Sequence, residues 1–201
     1  MHRQSTEVRQ KQIIDASLAI IAEKGVSGLT TGEVAKRVGF SEAALFRHFP
    51  NKLGILKAAM ISVHEALISE INIIISGKSG PLTKLEDILK LQLSFIEKNK
   101  GMPRILFSDE LHLGDSELRD TIVKRHRRYM EIIKSVIREG ISAGIFRADM
   151  DVDMAARAFF GMIQTAVFNC SLTGFKTGLV DQHEPIARFL RGCFIARSYC
   201  G

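Results

Sequence analysis

Residues 39–52, GFSEAALFRHFPNK, place a serine, a carboxylate, an arginine, a histidine and a lysine on one short segment. Their chemistry is that of charge and hydrogen bonding rather than of bond making. Arg47 and His48 can reach phosphate oxygens or base edges, and Lys52 opens the next helix, where amide dipoles attract anions. Ala43 and Ala44 are small enough to let a helix lie deep in a major groove. The partner implied is double-stranded DNA, although an ordinary helical corner with solvated charges fits the same spacing.

Short helices must position these groups. Thr30 and Glu33 have the spacing of a capping box, each side chain satisfying an orphan amide. Val34, Ala35 and Val38 give that helix an apolar side, and Gly39 permits a left-handed turn. Ser41 is a good N-cap for the following helix, and Pro50 stops it after Phe49. Leu45 and Phe49 share the buried face, Phe40 plugs the angle, and Glu42, Ala43, Phe46 and Arg47 point outward or sideways. Two short helices joined by VGFS have the length and turn composition of a helix-turn-helix.

The chain has 201 residues, enough to bury a core without staples. Lys and Arg number 28 against 22 Asp and Glu. Residues 1–57 hold 9 of the cations and 5 of the anions, leaving 19 against 17 for the other 144. The positive excess therefore sits in the first quarter. Cys170, Cys193 and Cys200 are odd in number and widely spaced, unlike a disulfide framework or zinc site. The polar start lacks the apolar run of a signal peptide, and the apolar stretches read as too interrupted to span a bilayer. The expectation is a cytoplasmic protein with no membrane partner.

Beyond residue 50 the punctuation remains helical, and no stretch alternates long enough for a strand. Helices are expected from Thr6 to Lys24, from Asn51 to Gly77, from a capping box at Thr83 and Glu86 to Gly101, from Pro103 to near Gly114, from Asp115 to about Gly144, after Asp151 or Asp153, and from near Pro185. The fold class is all-α.

LTTGEVAKRVGFSEAALFRHFPNKLGIL, with QIIDASLAIIAEKGVSG before it, resembles the DNA-binding signature of the TetR (AcrR-like) family of transcriptional regulators. The resemblance covers about residues 8–57, with landmarks at Thr30, Ala35, Gly39, Ser41, Leu45, His48, Phe49 and Lys52. It implies a nine-helix, two-domain regulator: a three-helix DNA-binding domain over 1–50 and a helical ligand-binding and dimerisation domain over 51–201. Thr30, Ser41, His48 and Lys52 would contact phosphate, with Thr31 beside them, and Glu42, Ala43 and Arg47 would lie nearest the bases. Family members commonly carry Thr at the place of Ala44 and Tyr at the place of Phe46. Here Ala44 could meet a thymine methyl and Phe46 the sugar backbone. A homodimer would place two recognition helices about 34–36 Å apart on a near-palindromic operator.

For the dimer interface the expected residues are Ala155, Phe159, Met162, Ile163 and Ala166 with Ile186, Leu190, Cys193 and Phe194, on two helices apolar over much of their surface. A monomeric core would use the same pattern. For an apolar or amphipathic ligand, the candidates are Phe95, Met102, Phe107, Leu111, Phe160 and Gln164. Asp109 and His112 have the spacing of two metal ligands on a helix, but the second pair such a site needs is missing, so no metal is expected, nor any cofactor. The basic run KRHRRY, 124–129, reads as a solvated face. No catalytic constellation is present. The function expected is a ligand-responsive repressor. Two alternatives stand beside it: a family member with a nucleoid-associated or cell-division role, whose recognition segment SEAALFRHFPNK also resembles, and a helical small-molecule-binding protein that does not act on DNA.

Overall fold

Ser5 ends the polar N-terminal stretch by accepting from the Val8 amide at 3.3 Å, a cap that starts the first helix at Thr6. The computed structural model describes residues 5–99, 101–106, 116–174, 176 and 178–196, with backbone alone at 102, 104 and 106. The helices are α1 (Thr6–Lys24), α2 (Thr31–Val38), α3 (Glu42–Phe46), α4 (Lys52–Ser76), α5 (Pro81–Lys98), α6 (Gly101–Leu106), α7 (Ser116–Ser142), α8 (Val152–Leu172) and α9 (His183–Phe194), with a 3-10 turn at Val180–Gln182. The described residues form no strand, only an isolated bridge between Phe146 and Ile195, so the class is all-α.

Several boundaries follow from caps legible in the sequence. Asn51 accepts from the Gly54 amide at 2.8 Å and opens α4, and Asp151 accepts from Met154 at 3.0 Å and opens α8. Others differ from expectation. α5 begins at Pro81, with the Gly80 carbonyl accepting from Lys84, so Thr83 lies inside the helix and caps nothing. Proline in the first turn loses no hydrogen bond and outcompetes the capping box. α3 is only five residues long, because the chain turns at Arg47 and His48 before Pro50 is reached.

Two compact units emerge, neither contiguous in sequence. The first combines the chain up to Glu65 with residues 99–124. Its core gathers Ile13, Ile20 and Ile21 of α1, Val34 and Ala35 of α2, Leu45, Phe49, Ile55, Leu56 and Met60, and Ile105 of α6. The buried stripe of α1 runs through Ile13, Ser17, Ile20 and Ile21, whereas Ile14 and Leu18 are only partly covered. Ser17 is tolerated inside because its hydroxyl donates to the Ile13 carbonyl at 2.7 Å. α6 comes so near α1 that a Cβ on Gly101 would lie 2.5 Å from the Leu18 carbonyl oxygen.

The second unit comprises Ala66–Lys98 and the chain from Arg125 onward. Leu85, Ile88, Leu89 and Leu93 of α5, Ile133, Val136 and Ile137 of α7, Phe159, Ile163 and Val167 of α8, and Leu190 and Phe194 of α9 are buried. Two polar side chains enter that interior with partners. Lys84 donates to both carboxylate oxygens of Glu139 at 2.9 and 3.0 Å, and Tyr129 donates to Gln92 Oε1 at 2.9 Å. Burial pushes the Tyr129 phenol well above its ordinary range, keeping it a neutral donor.

By length and composition α4 is apolar enough to cross a membrane, contrary to the sequence expectation. Its Ile55, Leu56, Ala59, Met60, Val63, Leu67, Ile68 and Ile71 are buried in the folded chain.

Candidate nucleic-acid interface

The interface is built on α2, α3 and the start of α4. Thr30 caps α2 by accepting from the Glu33 amide at 3.1 Å, but Glu33 does not complete the box. Its carboxylate pairs with Lys24 at 2.9 Å, a charge partner stronger than a backbone amide, and that contact holds the Glu33 carboxyl below its usual range. Gly39 takes the left-handed conformation at φ 73° and ψ 34°, turning the chain between α2 and α3. Ser41 then caps α3 by accepting from Ala44 at 3.2 Å.

One face of this motif is inside and the other is open. Leu45 is buried, and Phe49 is only 7% exposed while Phe46 is 46% exposed. Thr30, Ser41, Glu42, Ala43 and Arg47 are exposed, and Thr31, Ala44, His48 and Lys52 are half-exposed. Every residue expected to face DNA therefore has an accessible surface. Thr31 donates to Glu42 Oε2 at 3.1 Å, and Glu42 Oε1 sits where a Cβ on Gly32 would come within 2.8 Å. The His48 ring lies 6.4 Å from that of Phe40, tilted by 31°, and its Nδ1 is buried without a hydrogen-bond partner. That leaves Nε2 as the ring nitrogen able to bond an incoming group.

Residues 13–59 match the bacterial regulatory proteins of the tetR family, and residues 78–167 match the tetracyclin repressor-like C-terminal domain. The nucleoid occlusion factor SlmA of Vibrio cholerae is 34% identical over 169 residues, 84% of this chain and 86% of that protein. The chain belongs to the TetR family. SlmA of Marinomonas sp. is 33% identical over 84% of this chain and 85% of its own. The likeness to SlmA thus extends far beyond the recognition segment. Among solved TetR-like folds, the transcriptional regulator FadR of Bacillus subtilis in complex with stearoyl-CoA is 26% identical with a TM-score of 0.80, covering 90% of this chain and 96% of its own. The fatty acid degradation regulator FadR of Bacillus halodurans has the same fold, with a TM-score of 0.83 at 22% identity over 96% and 97% of the two chains. As a TetR-family protein the chain is a DNA-binding transcription regulator.

The residues expected to meet a ligand or metal divide. Phe95, Phe160 and Gln164 are half-buried, with the Phe160 ring 4.8 Å from that of His126 and 5.6 Å from that of Tyr129. Phe107, Leu111, Asp109 and His112 lie outside the described residues, as does the side chain of Met102. Among the described residues no cluster of His, Cys, Asp and Glu could hold a metal ion.

The residues expected at a dimer interface fall into two groups within one chain. Ala155, Phe159, Ile163, Ala166, Leu190 and Phe194 are buried within one chain, where they form the core of the second unit. Met162, Ile186 and Cys193 remain half-buried. The open apolar side of α8 instead carries Met154, Phe168 and Leu172, and that of α9 carries Phe189, with Leu172 70% and Phe189 61% exposed. Asp153, Arg157, Thr165 and Asn169 share that exposed side, so polar and apolar residues alternate on it. Tyr129, expected on a solvated face with the rest of 124–129, is instead buried and bonded to Gln92, 37 residues away with no shared motif.

Proposed function

We propose that the chain is a homodimeric, ligand-responsive repressor that reads a near-palindromic operator in the cytoplasm through α3. The observation that carries this reading is the sorting of the motif. Leu45 and Phe49 face the core, while Ser41, Glu42, Ala43, Phe46, Arg47 and, at the start of α4, Lys52 stay accessible on one short segment. Thr30, Ser41, His48 and Lys52 take the phosphate roles, and Glu42, Ala43 and Arg47 the base edges.

The dimer is supported by the open stripe Met154, Ala158, Gly161, Thr165, Phe168 and Leu172 on α8, whose spacing alternates four and three residues. Apolar surface so placed is covered by a second copy through a two-fold axis. Ligand control is supported by the 26% likeness to a FadR solved with stearoyl-CoA and by the half-buried Phe95, Phe160 and Gln164 of the second unit. An acyl chain is the class of ligand that such apolar side chains would take. Ligand would act by favouring a dimer geometry that no longer spans two successive major grooves.

The extended likeness to SlmA favours a second reading, DNA occupancy at many sites in a cell-division role without small-molecule release. One experiment separates the readings. The protein is footprinted on the DNA upstream of its gene, and acyl-CoA esters are titrated in. A single protected palindrome released by ligand supports the repressor. Protection at many dispersed sites that no acyl-CoA releases supports the second reading, and the absence of salt-dependent binding would leave only a small-molecule-binding protein.

A further inference from the structure

Four cations of the first unit are paired with carboxylates. Lys11 pairs with Asp15 at 3.3 Å, Lys24 with Glu33 at 2.9 Å, Arg37 with Glu23 at 2.7 Å, and Lys57 with Glu117. Arg9 on the first turn of α1 is held in a different way. Its guanidinium carbon lies 4.6 Å from the centroid of the Phe40 ring, and its Nη1 donates to Gln12 Oε1 at 3.3 Å. Stacking and a neutral amide fix the plane of the guanidinium without cancelling its charge. The ring that holds it immediately precedes Ser41, the cap of α3, and neighbours the ring of His48. Arg9, Phe40 and His48 thus form a ladder from α1 to the turn that follows α3.

We propose that Arg9 is a DNA-backbone contact, a preoriented cation for the phosphodiester beside α3, and that Phe40 is the positioning residue that aims it. This inference rests on the DNA-binding reading above. It adds a residue that lies ahead of the family-matched segment 13–59. An oriented, unneutralised arginine loses less conformational freedom on meeting phosphate than a solvated one. Its contact should appear as a released counterion.

The test is binding of the full-length protein to a fluorescein-labelled random 30-bp duplex, followed by anisotropy between 50 and 200 mM KCl. Arg9→Gln should lower the slope of log K against log salt by about 0.9 and weaken binding severalfold at the low-salt end. Arg9→Lys should keep the slope and lose part of the affinity, because the charge remains while the planar stack is weakened. Phe40→Leu, which keeps an apolar plug, should cost little once Arg9 is already Gln. Thermal melting is followed in parallel. An Arg9→Gln protein with the wild-type slope overturns the proposal, and a lowered melting temperature beside that slope assigns Arg9 a structural role only. Lys52→Ala serves as the control. A wild type without salt-dependent binding overturns both readings, whereas a slope that falls with Lys52→Ala but not with Arg9→Gln overturns this one alone.

Discussion

The Thr31 hydroxyl is bonded to Glu42 Oε2 at 3.1 Å, so the carboxylate at the start of α3 is tied to the first turn of α2 in the unbound protein. Its other oxygen lies over Gly32, where a Cβ would come within 2.8 Å of it. A carboxylate on a DNA-facing surface repels every phosphate but can accept from a cytosine amino group. Glu42→Gln should tighten binding to a random duplex severalfold and lower the ratio of operator to random affinity by about five- to a hundredfold, the range for one base contact. Anisotropy on both duplexes measures this. An unchanged ratio removes Glu42 from base reading.

Phe46 is the exposed aromatic of α3 and lacks the hydroxyl common at this place in the family. Phe46→Tyr should tighten binding about equally on all sequences, by about 0.5–1.5 kcal/mol for one added hydrogen bond to the backbone. Tightening on the operator alone would place the ring against a base instead.

The stripe on α8 predicts opposite outcomes for neighbouring substitutions. Leu172→Glu, on the open side, should leave the melting temperature of the fold nearly unchanged and convert the protein to monomers in sedimentation. Phe159→Ala, in the core of the second unit, should cost about 3–5 kcal/mol of stability. A Leu172→Glu protein that stays dimeric would move the interface elsewhere.

Tyr129 and Gln92 form a closed pair inside the second unit. Tyr129→Phe removes the donor and leaves the Gln92 carbonyl buried without a partner, for a loss of about 1–3 kcal/mol in chemical denaturation. Replacing Gln92 with Leu in the same chain should recover part of it, since an apolar pair leaves nothing unsatisfied. No recovery would mean that the amide has another partner.

Partial desolvation holds the His126 imidazole, whose ring lies 4.8 Å from that of Phe160, below its ordinary pKa of about 6.5. Below that value the unfolded chain takes up the proton before the folded one does, so acid favours unfolding. Stability should therefore decline as pH falls from about 7 through the lowered folded-state value, and His126→Gln should flatten that part of the curve. The carboxylates of Glu23, Glu33, Asp149 and Asp153, all held low by cationic partners, act in a more acidic window and would persist in the variant.

The helix-turn-helix was legible in the sequence because its determinants are local. Thr30, Gly39, Ser41 and Asn51 each act within a few residues of themselves, through caps and one left-handed turn. What escaped depends on contacts between distant residues. Arg9 meets Phe40 across 31 positions, and no spacing rule links them. The capping box failed at Glu33 because Lys24 lies in another helix. Pro81 displaced Thr83 as the opening of α5, a competition between two good local signals. On α8, Ala155, Phe159, Ile163 and Ala166 are buried within one chain, which periodicity alone does not tell, since only packing distinguishes two apolar sides of one helix.

The packing of α6 on α1 limits how the reading head can be transplanted. Ile105 completes the same core as Ile13, Leu45 and Phe49, and Gly101 lets its backbone touch that of Leu18. A fragment cut after residue 57 would contain every group assigned to DNA and yet lack a wall of its own interior. Grafting this specificity onto another scaffold would therefore require the 99–124 segment to travel with it, as a second piece of a split module.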